Sequence, residues 1–201
     1  MVSDIFGCTL YLLALINPVS KIFILSVFSK KFSPLQIRSI SFRSSVIALL
    51  ILLVFAFAGN IILTVVFHVQ LYSFQIAAGV ILFVMGFKAL SKGIFYEIDS
   101  AARVPEVSVV PLASPMIAGP ATITAVTTFA VQYPMAVVLI STTIAIAVNL
   151  GFMLISRWIS KFLTRLHLME ALIRITGLIV ATMAVQMVLN GAGNWFGALT
   201  K

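Results

Sequence analysis

The most restrictive feature of this sequence is a run of 50 residues, 107–156, that contains no Lys, Arg, Asp, Glu or His. An uncharged run of this length belongs in a membrane. Its first part nevertheless carries Pro111, Pro115, Gly119 and Pro120, which a straight spanning helix would avoid. In lipid, backbone that leaves the helical pattern is tolerated only where it is buried in protein or lines a cavity. The sequence therefore predicts a discontinuous helix beside a binding site.

The composition of the chain places all of it in the membrane. Of 201 residues, 62% are hydrophobic and 9% are charged, whereas soluble domains carry roughly 25% charged residues. The net charge of +8 does not indicate nucleic-acid binding, because the basic residues cluster at segment ends and no soluble fold is available to present them. No cofactor or metal is expected. Cys8 is the only cysteine, which allows neither an intrachain disulfide nor a cysteine-based metal cluster. The first segment lacks a preceding basic stretch, so we expect a retained span rather than a cleaved signal peptide.

Six apolar segments are long enough to cross a bilayer, which needs about 20 residues per helix. We predict spans at residues 4–27, 43–66, 70–90, 108–131, 134–156 and 171–192. Twelve of the 13 Lys and Arg residues lie in or beside the loops that follow spans 1, 3 and 5, and Lys201 is the exception. Because Lys and Arg are enriched in cytoplasmic loops, the sequence predicts a plasma (inner) membrane protein with both termini outside the cytoplasm.

Each half of the chain opens with a span that carries a helix break. Span 1 contains Asn17 and Pro18, and span 4 contains the cluster at 113–120. Three spans per half is an odd number, so the second half would enter the membrane from the opposite side, as in transporters built from inverted repeats. The predicted fold is thus an all-α integral membrane protein with six transmembrane helices, in two inverted three-helix repeats with helices 1 and 4 broken. One domain would cover residues 1–201, with repeat one at about 4–90, a cytoplasmic loop at about 91–107 and repeat two at about 108–192.

Three segments resemble the MarC family, also called the neutral amino acid transporter family, within the wider LysE-like group of exporters. They are INPVSKIF at 16–23, PLASPMIAGPATI at 111–123 and RITGLIVATMAVQM at 174–187. The first segment departs from the family pattern, with Ser20 where glycine is usual and Phe23 where a second proline is usual. The resemblance implies a secondary transporter of small neutral amino acids such as glycine and alanine, with export as one candidate direction.

The two breaks mark the predicted substrate site. We predict that it includes Asn17, Pro18, Ser20, Ser114, Pro115, Gly119, Pro120, Thr122 and Thr124. Proline is favoured at the first position of a helix, so Pro120 would begin a half-helix whose backbone N–H groups bind the carboxylate of an amino acid. Carbonyl groups freed by Pro18 would accept hydrogen bonds from its ammonium. Gly119 would let the ligand approach the backbone closely.

Other side chains are interpreted as structural. Lys21 could contact substrate, but we expect it to extend to the cytoplasmic interface. Gly79, Gly86, Gly151 and Gly177 are expected to be close-packing positions between helices. Membrane lipids are expected partners, because basic residues recur every four positions from Arg157 and would meet anionic headgroups.

Alternatives to transport follow from what the sequence leaves open. No Walker A pattern is present, so ATP is not the direct energy source, and a coupling proton or sodium ion would replace it. No Asp or Glu lies in mid-span, which leaves uniport and exchange open. A non-transporting scaffold or partner protein is the main alternative. An intramembrane enzyme is less favoured, because His68 and His167 lie near loops on opposite faces. The sequence does not determine the oligomeric state.

Overall fold

The computed structural model describes residues 1–29, 32–66, 68–93, 104–165 and 169–199, and these residues form helices and short connections without any strand. The α-helices are α1 Val2–Ile16, α2 Pro18–Phe28, α3 Pro34–Ile61, α4 Leu71–Lys92, α5 Val104–Val107, α6 Pro120–Gln132, α7 Met135–Arg165 and α8 Met169–Leu199. Two π-helical segments, Ile62–Val66 after α3 and Ser108–Ile117 after α5, complete the secondary structure. Most of the predicted loop at 91–107, and Lys201, lie outside the described residues.

Five helical segments of the described chain are long and apolar enough to cross a membrane. They are Val2–Ser26, Pro34–Gly59, Leu71–Lys92, Met135–Ile159 and Ala171–Leu199. The prediction of an all-helical protein with several candidate membrane spans is confirmed for the described residues. The remaining predicted span, 108–131, is divided between the π-helix Ser108–Ile117 and α6, and neither part is long enough to be a full crossing by itself.

The sequence predicts that the second span begins at residue 43, where the charged residues end. In the structure its helix, α3, begins earlier, because a capping box starts it at Pro34. The Ser33 hydroxyl accepts a hydrogen bond from the Gln36 backbone N–H, and the Gln36 side chain accepts one from the Ser33 N–H at 2.8 Å. This reciprocal cap satisfies donors that the helix itself leaves free. Arg38 is therefore a helical residue rather than part of a loop, and Arg43 lies within the same helix.

Glycines bring α4 and α8 into close contact. A Cβ atom added to Gly86 would lie 2.6 Å from the backbone nitrogen of Ala181, and one added to Gly177 would lie 2.7 Å from that of Leu90. Gly79 is similarly crowded, so close packing is confirmed at these three positions. The same prediction is wrong for Gly151, where an added Cβ meets nothing within 4 Å, because this face of α7 is exposed.

The rest of the bundle surrounds the interrupted segments. Helix α7 packs against α1, α2 and α3, while the π-helix Ser108–Ile117 and α6 pack against α3. Leu12 and Ile16 of α1 share a buried core with Leu112 and Ile117 of the π-helix. Both places where helices end inside the bundle, at Asn17 and Gly119, therefore lie in the protein interior rather than among loops.

Candidate functional site

The first interruption lies between α1 and α2. Asn17 has φ 54° and ψ 76°, in the left-handed region, and its N–H donates to the Leu13 carbonyl at 2.8 Å to close α1. Asparagine enters this region more readily than most residues. Helix α2 then starts at Pro18, whose missing N–H is no loss at a helix start. The Ser20 hydroxyl donates to the Asn17 carbonyl at 2.8 Å, so the turn is held by its own side chains.

The second interruption lies between the π-helix Ser108–Ile117 and α6. The Ala118 N–H donates to the Ala113 carbonyl at 2.8 Å, a five-residue spacing that ends the π-helix. Gly119 precedes Pro120, the first residue of α6, and has φ −87° and ψ 171°. This is extended backbone that any residue adopts, so glycine is not required here by its conformation. The first N–H groups of α6 have no acceptor within the helix and form the positive end of its dipole.

Lys21 joins the two interruptions. Its Nζ donates to the carbonyl of Ile16, the last residue of α1, and to the carbonyl of Met116 in the π-helix at 2.7 Å. The Ser20 hydroxyl lies 3.4 Å from the same nitrogen. Only 2% of the side chain is exposed, so the expectation that Lys21 extends to the cytoplasmic interface is wrong. Carbonyls near the ends of two helical segments satisfy the ammonium inside the bundle, which removes the need to reach water.

A small cavity of about 40 Å³ lies between the interruptions. Five predicted site residues line it, namely Asn17, Ser20, Gly119, Pro120 and Thr122. Lys21 lines it as well, and apolar side chains of α4 and α8, including Ile81, Met85 and Val180, close the other side. A water molecule needs roughly 10–15 Å³ of such space, so the cavity holds about three waters.

Three of the other four predicted site residues, Pro18, Ser114 and Thr124, do not line this cavity. Pro18 begins α2, and Ser114 and Pro115 lie within the π-helix, with the Pro115 side chain outside the described atoms. The Thr124 hydroxyl donates to the Pro120 carbonyl at 2.8 Å, which ties it to the first turn of α6. Thr124 also faces a second, larger cavity.

This second cavity, of about 520 Å³, lies among α1, α4, α6 and α8 and is rich in polar side chains. Its polar lining comprises Tyr11, Gln75, Thr124, Thr128, Gln132, Asn190 and Asn194. The Asn194 amide donates to the Gln75 side chain at 3.1 Å across the α4–α8 contact. Ala121, in the first turn of α6, lines both cavities.

Two elements of this site were not predicted from sequence. The larger cavity depends on which faces α4 and α8 turn toward α6, and the polar residues at their ends give only a weak signal of it. Lys21 offered a stronger signal, because it is the only charged residue in the 25 residues 5–29 and follows the Asn17–Pro18 break directly. Its meeting with Met116, 95 residues away, depends on tertiary structure.

Comparison with known proteins gives matches over nearly the whole chain. The family model described as MarC family integral membrane protein matches residues 2–196. A UPF0056 membrane protein of Pyrococcus horikoshii is 34% identical over 193 residues, covering 96% of this chain and 95% of the relative. The UPF0056 inner membrane protein YhgN of Escherichia coli K12 is 30% identical over 195 residues, covering 96% and 98%. No solved structure matches the chain.

Proposed function

Because this chain belongs to the MarC family of integral membrane proteins, we propose that it is a secondary transporter of small neutral amino acids, of the size of glycine and alanine. The substrate would be held between the interruptions at Asn17 and Gly119. The observation that carries the proposal is the small cavity lined by residues of both interruptions and by the first turn of α6. Discontinuous helices that meet around a cavity are the usual site of substrate binding in secondary transporters.

The proposed architecture has six crossings in two inverted repeats. The π-helix Ser108–Ile117 and α6 together would make the fourth crossing, as α1 and α2 together make the first. Each repeat would then open with an interrupted crossing, with both termini outside the cytoplasm in the inner membrane. The distribution of 12 of 13 basic residues around the loops after spans 1, 3 and 5 supports this orientation.

Recognition of a zwitterion would use opposite ends of the cavity. The backbone N–H groups of Ala121 and Thr122, in the first turn of α6, suit a carboxylate. The side-chain oxygens of Asn17 and Ser20 suit an ammonium. Apolar side chains of α4 and α8 leave room for a hydrogen or a methyl group on the amino acid Cα, which favours glycine and alanine over larger residues.

The larger cavity would be the route from the outer face. Under the proposed orientation, the start of α4 and the ends of α6 and α8 lie at that face, and Gln75, Gln132, Asn190 and Asn194 at those ends line the cavity. Polar lining fits a water-filled entrance. Ala121 would separate this entrance from the binding cavity, so a small movement of the first turn of α6 would connect them. A scaffold protein would have no need for two adjoining cavities of this kind.

Counterflow of labelled amino acids in proteoliposomes tests the proposal. Vesicles loaded with unlabelled glycine should accumulate labelled glycine and alanine, whereas labelled leucine should not exchange, because the cavity cannot accept its side chain. Imposed proton and sodium gradients would distinguish coupled transport from uniport and exchange. Absence of counterflow for both small amino acids, in vesicles that contain folded protein, would refute the assignment.

A further inference from the structure

The buried amino group of Lys21 is a feature that the transport proposal does not use. A buried ammonium normally needs an anionic partner. The acidic residues of the whole sequence are Asp4, Glu97, Asp99, Glu106 and Glu170. In the sequence, all of them fall at the ends of the apolar segments or between those segments. The Lys21 ammonium is therefore held by neutral oxygen atoms in the bundle interior.

The arrangement of these oxygens is that of a cation site. A lysine ammonium has three N–H donors and no acceptor, and three oxygens surround Nζ: the Ile16 and Met116 carbonyls and the Ser20 hydroxyl. The Ile16 carbonyl lies at the C-terminal end of α1, where the helix dipole is negative. The Met116 carbonyl is one residue from the end of the π-helix. In transporters with interrupted helices, such carbonyl groups are the ligands of Na⁺.

We propose that the Lys21 ammonium is a tethered cation that fills a monovalent-cation site between the two interruptions. It supplies the charge that a bound Na⁺ would supply, so the native chain needs no sodium to hold Ile16 and Met116 together. Removing the ammonium and its stem opens the site to a free cation. This inference rests on the proposed function, since it concerns a site beside the substrate cavity. If Lys21 already fills that site, transport should be independent of sodium.

Thermal unfolding of the purified full chain in detergent tests this inference without any substrate. Unfolding is followed by the fluorescence of Trp158 and Trp195, in NaCl and in choline chloride at equal ionic strength. Lys21→Ala and Lys21→Ser empty the site, and the serine variant also adds an oxygen ligand. Lys21→Met removes the charge but keeps the volume. Lys88→Ala is the matched control, since Lys88 is exposed on α4.

For each of the wild type, Lys88→Ala and Lys21→Met, the unfolding temperature in NaCl should equal that in choline chloride. Lys21→Ala and Lys21→Ser should show a saturable rise with NaCl, on the order of 5 °C at 100 times the dissociation constant. A saturable sodium response in the wild type would overturn the inference, and this arm holds even if neither emptied variant folds. Folded alanine and serine variants that respond equally to both salts would also overturn it. Because no transport is measured, either result leaves the counterflow test of the proposed function independent.

Discussion

Replacing Gly119 with valine tests the proposed site. Gly119 is buried, lies directly before α6 and lines the small cavity. Its extended backbone, with φ −87° and ψ 171°, is one that valine adopts readily, so the variant should fold. The valine side chain adds three carbon atoms to a position facing a cavity of about 40 Å³. That addition competes for the same space as a glycine substrate.

The size of the effect follows from overpacking. Inserting a few carbon atoms into a filled space costs about 1–3 kcal/mol, which corresponds to a loss of roughly 5- to 150-fold in glycine affinity. The loss of folding stability should be smaller, about 1 kcal/mol, because valine is less favourable than glycine at the position before a helix. For a chain of this length, the unfolding temperature should fall by about 2–4 °C.

Glycine counterflow at matched protein levels is the assay, with labelled glycine titrated to obtain the half-saturating concentration. Gly151→Val is the control, because an added Cβ at Gly151 meets nothing within 4 Å and the residue lies on an exposed face of α7. The control should transport like the wild type. Normal glycine counterflow by Gly119→Val, with unchanged half-saturation, would show that substrate does not bind beside this residue.

Three further predictions concern the backbone, the packing and the topology. Asn17→Ala should lower the unfolding temperature by a few degrees, because the left-handed region costs alanine about 1–2 kcal/mol. Asn17→Gly should unfold near the wild-type temperature, because glycine adopts this region without that cost. Equal stability of the two variants would contradict the left-handed geometry at Asn17. Gly86→Val should abolish the yield of folded protein in membranes, since a Cβ there already meets the α8 backbone at 2.6 Å; near-normal yield would contradict the close contact. Cysteines introduced at His68 and Tyr133, in a Cys8→Ala background, should react with an impermeant maleimide from outside intact cells, and one at Lys161 should not; the reverse pattern would invert the proposed orientation.

Much of the architecture is predictable from local sequence because prolines and charges act locally. Proline lacks an N–H donor and favours the first helical position, so Pro18 and Pro120 mark the starts of α2 and α6. The apolar segments mark the long helices in the same way. The start of α3 is an exception: the loss of charge predicts it near residue 43, whereas the capping box around Ser33 starts the helix at Pro34.

The contents of the site were less predictable, because they depend on contacts between distant segments. The sequence places Lys21 beside a break but cannot show that the Met116 carbonyl, 95 residues away, reaches its ammonium. Sequence also cannot tell which glycine of a helix faces a neighbour: Gly86 meets α8, whereas Gly151 faces outward. For the same reason, Thr122 lines the small cavity, whereas Thr124, on the same helix, faces the larger one.

The contact between Lys21 and Met116 constrains how a transporter of this fold could move. It joins the first interruption to the second, so any motion that separates the two must break a hydrogen bond to a buried charge. Hydrogen bonds to charged groups contribute about 1.5–3 kcal/mol, and a ligand shifts a conformational equilibrium only by its differential affinity for the two states. A bound amino acid could separate the two interruptions only if it bound the separated state more tightly by a similar free energy.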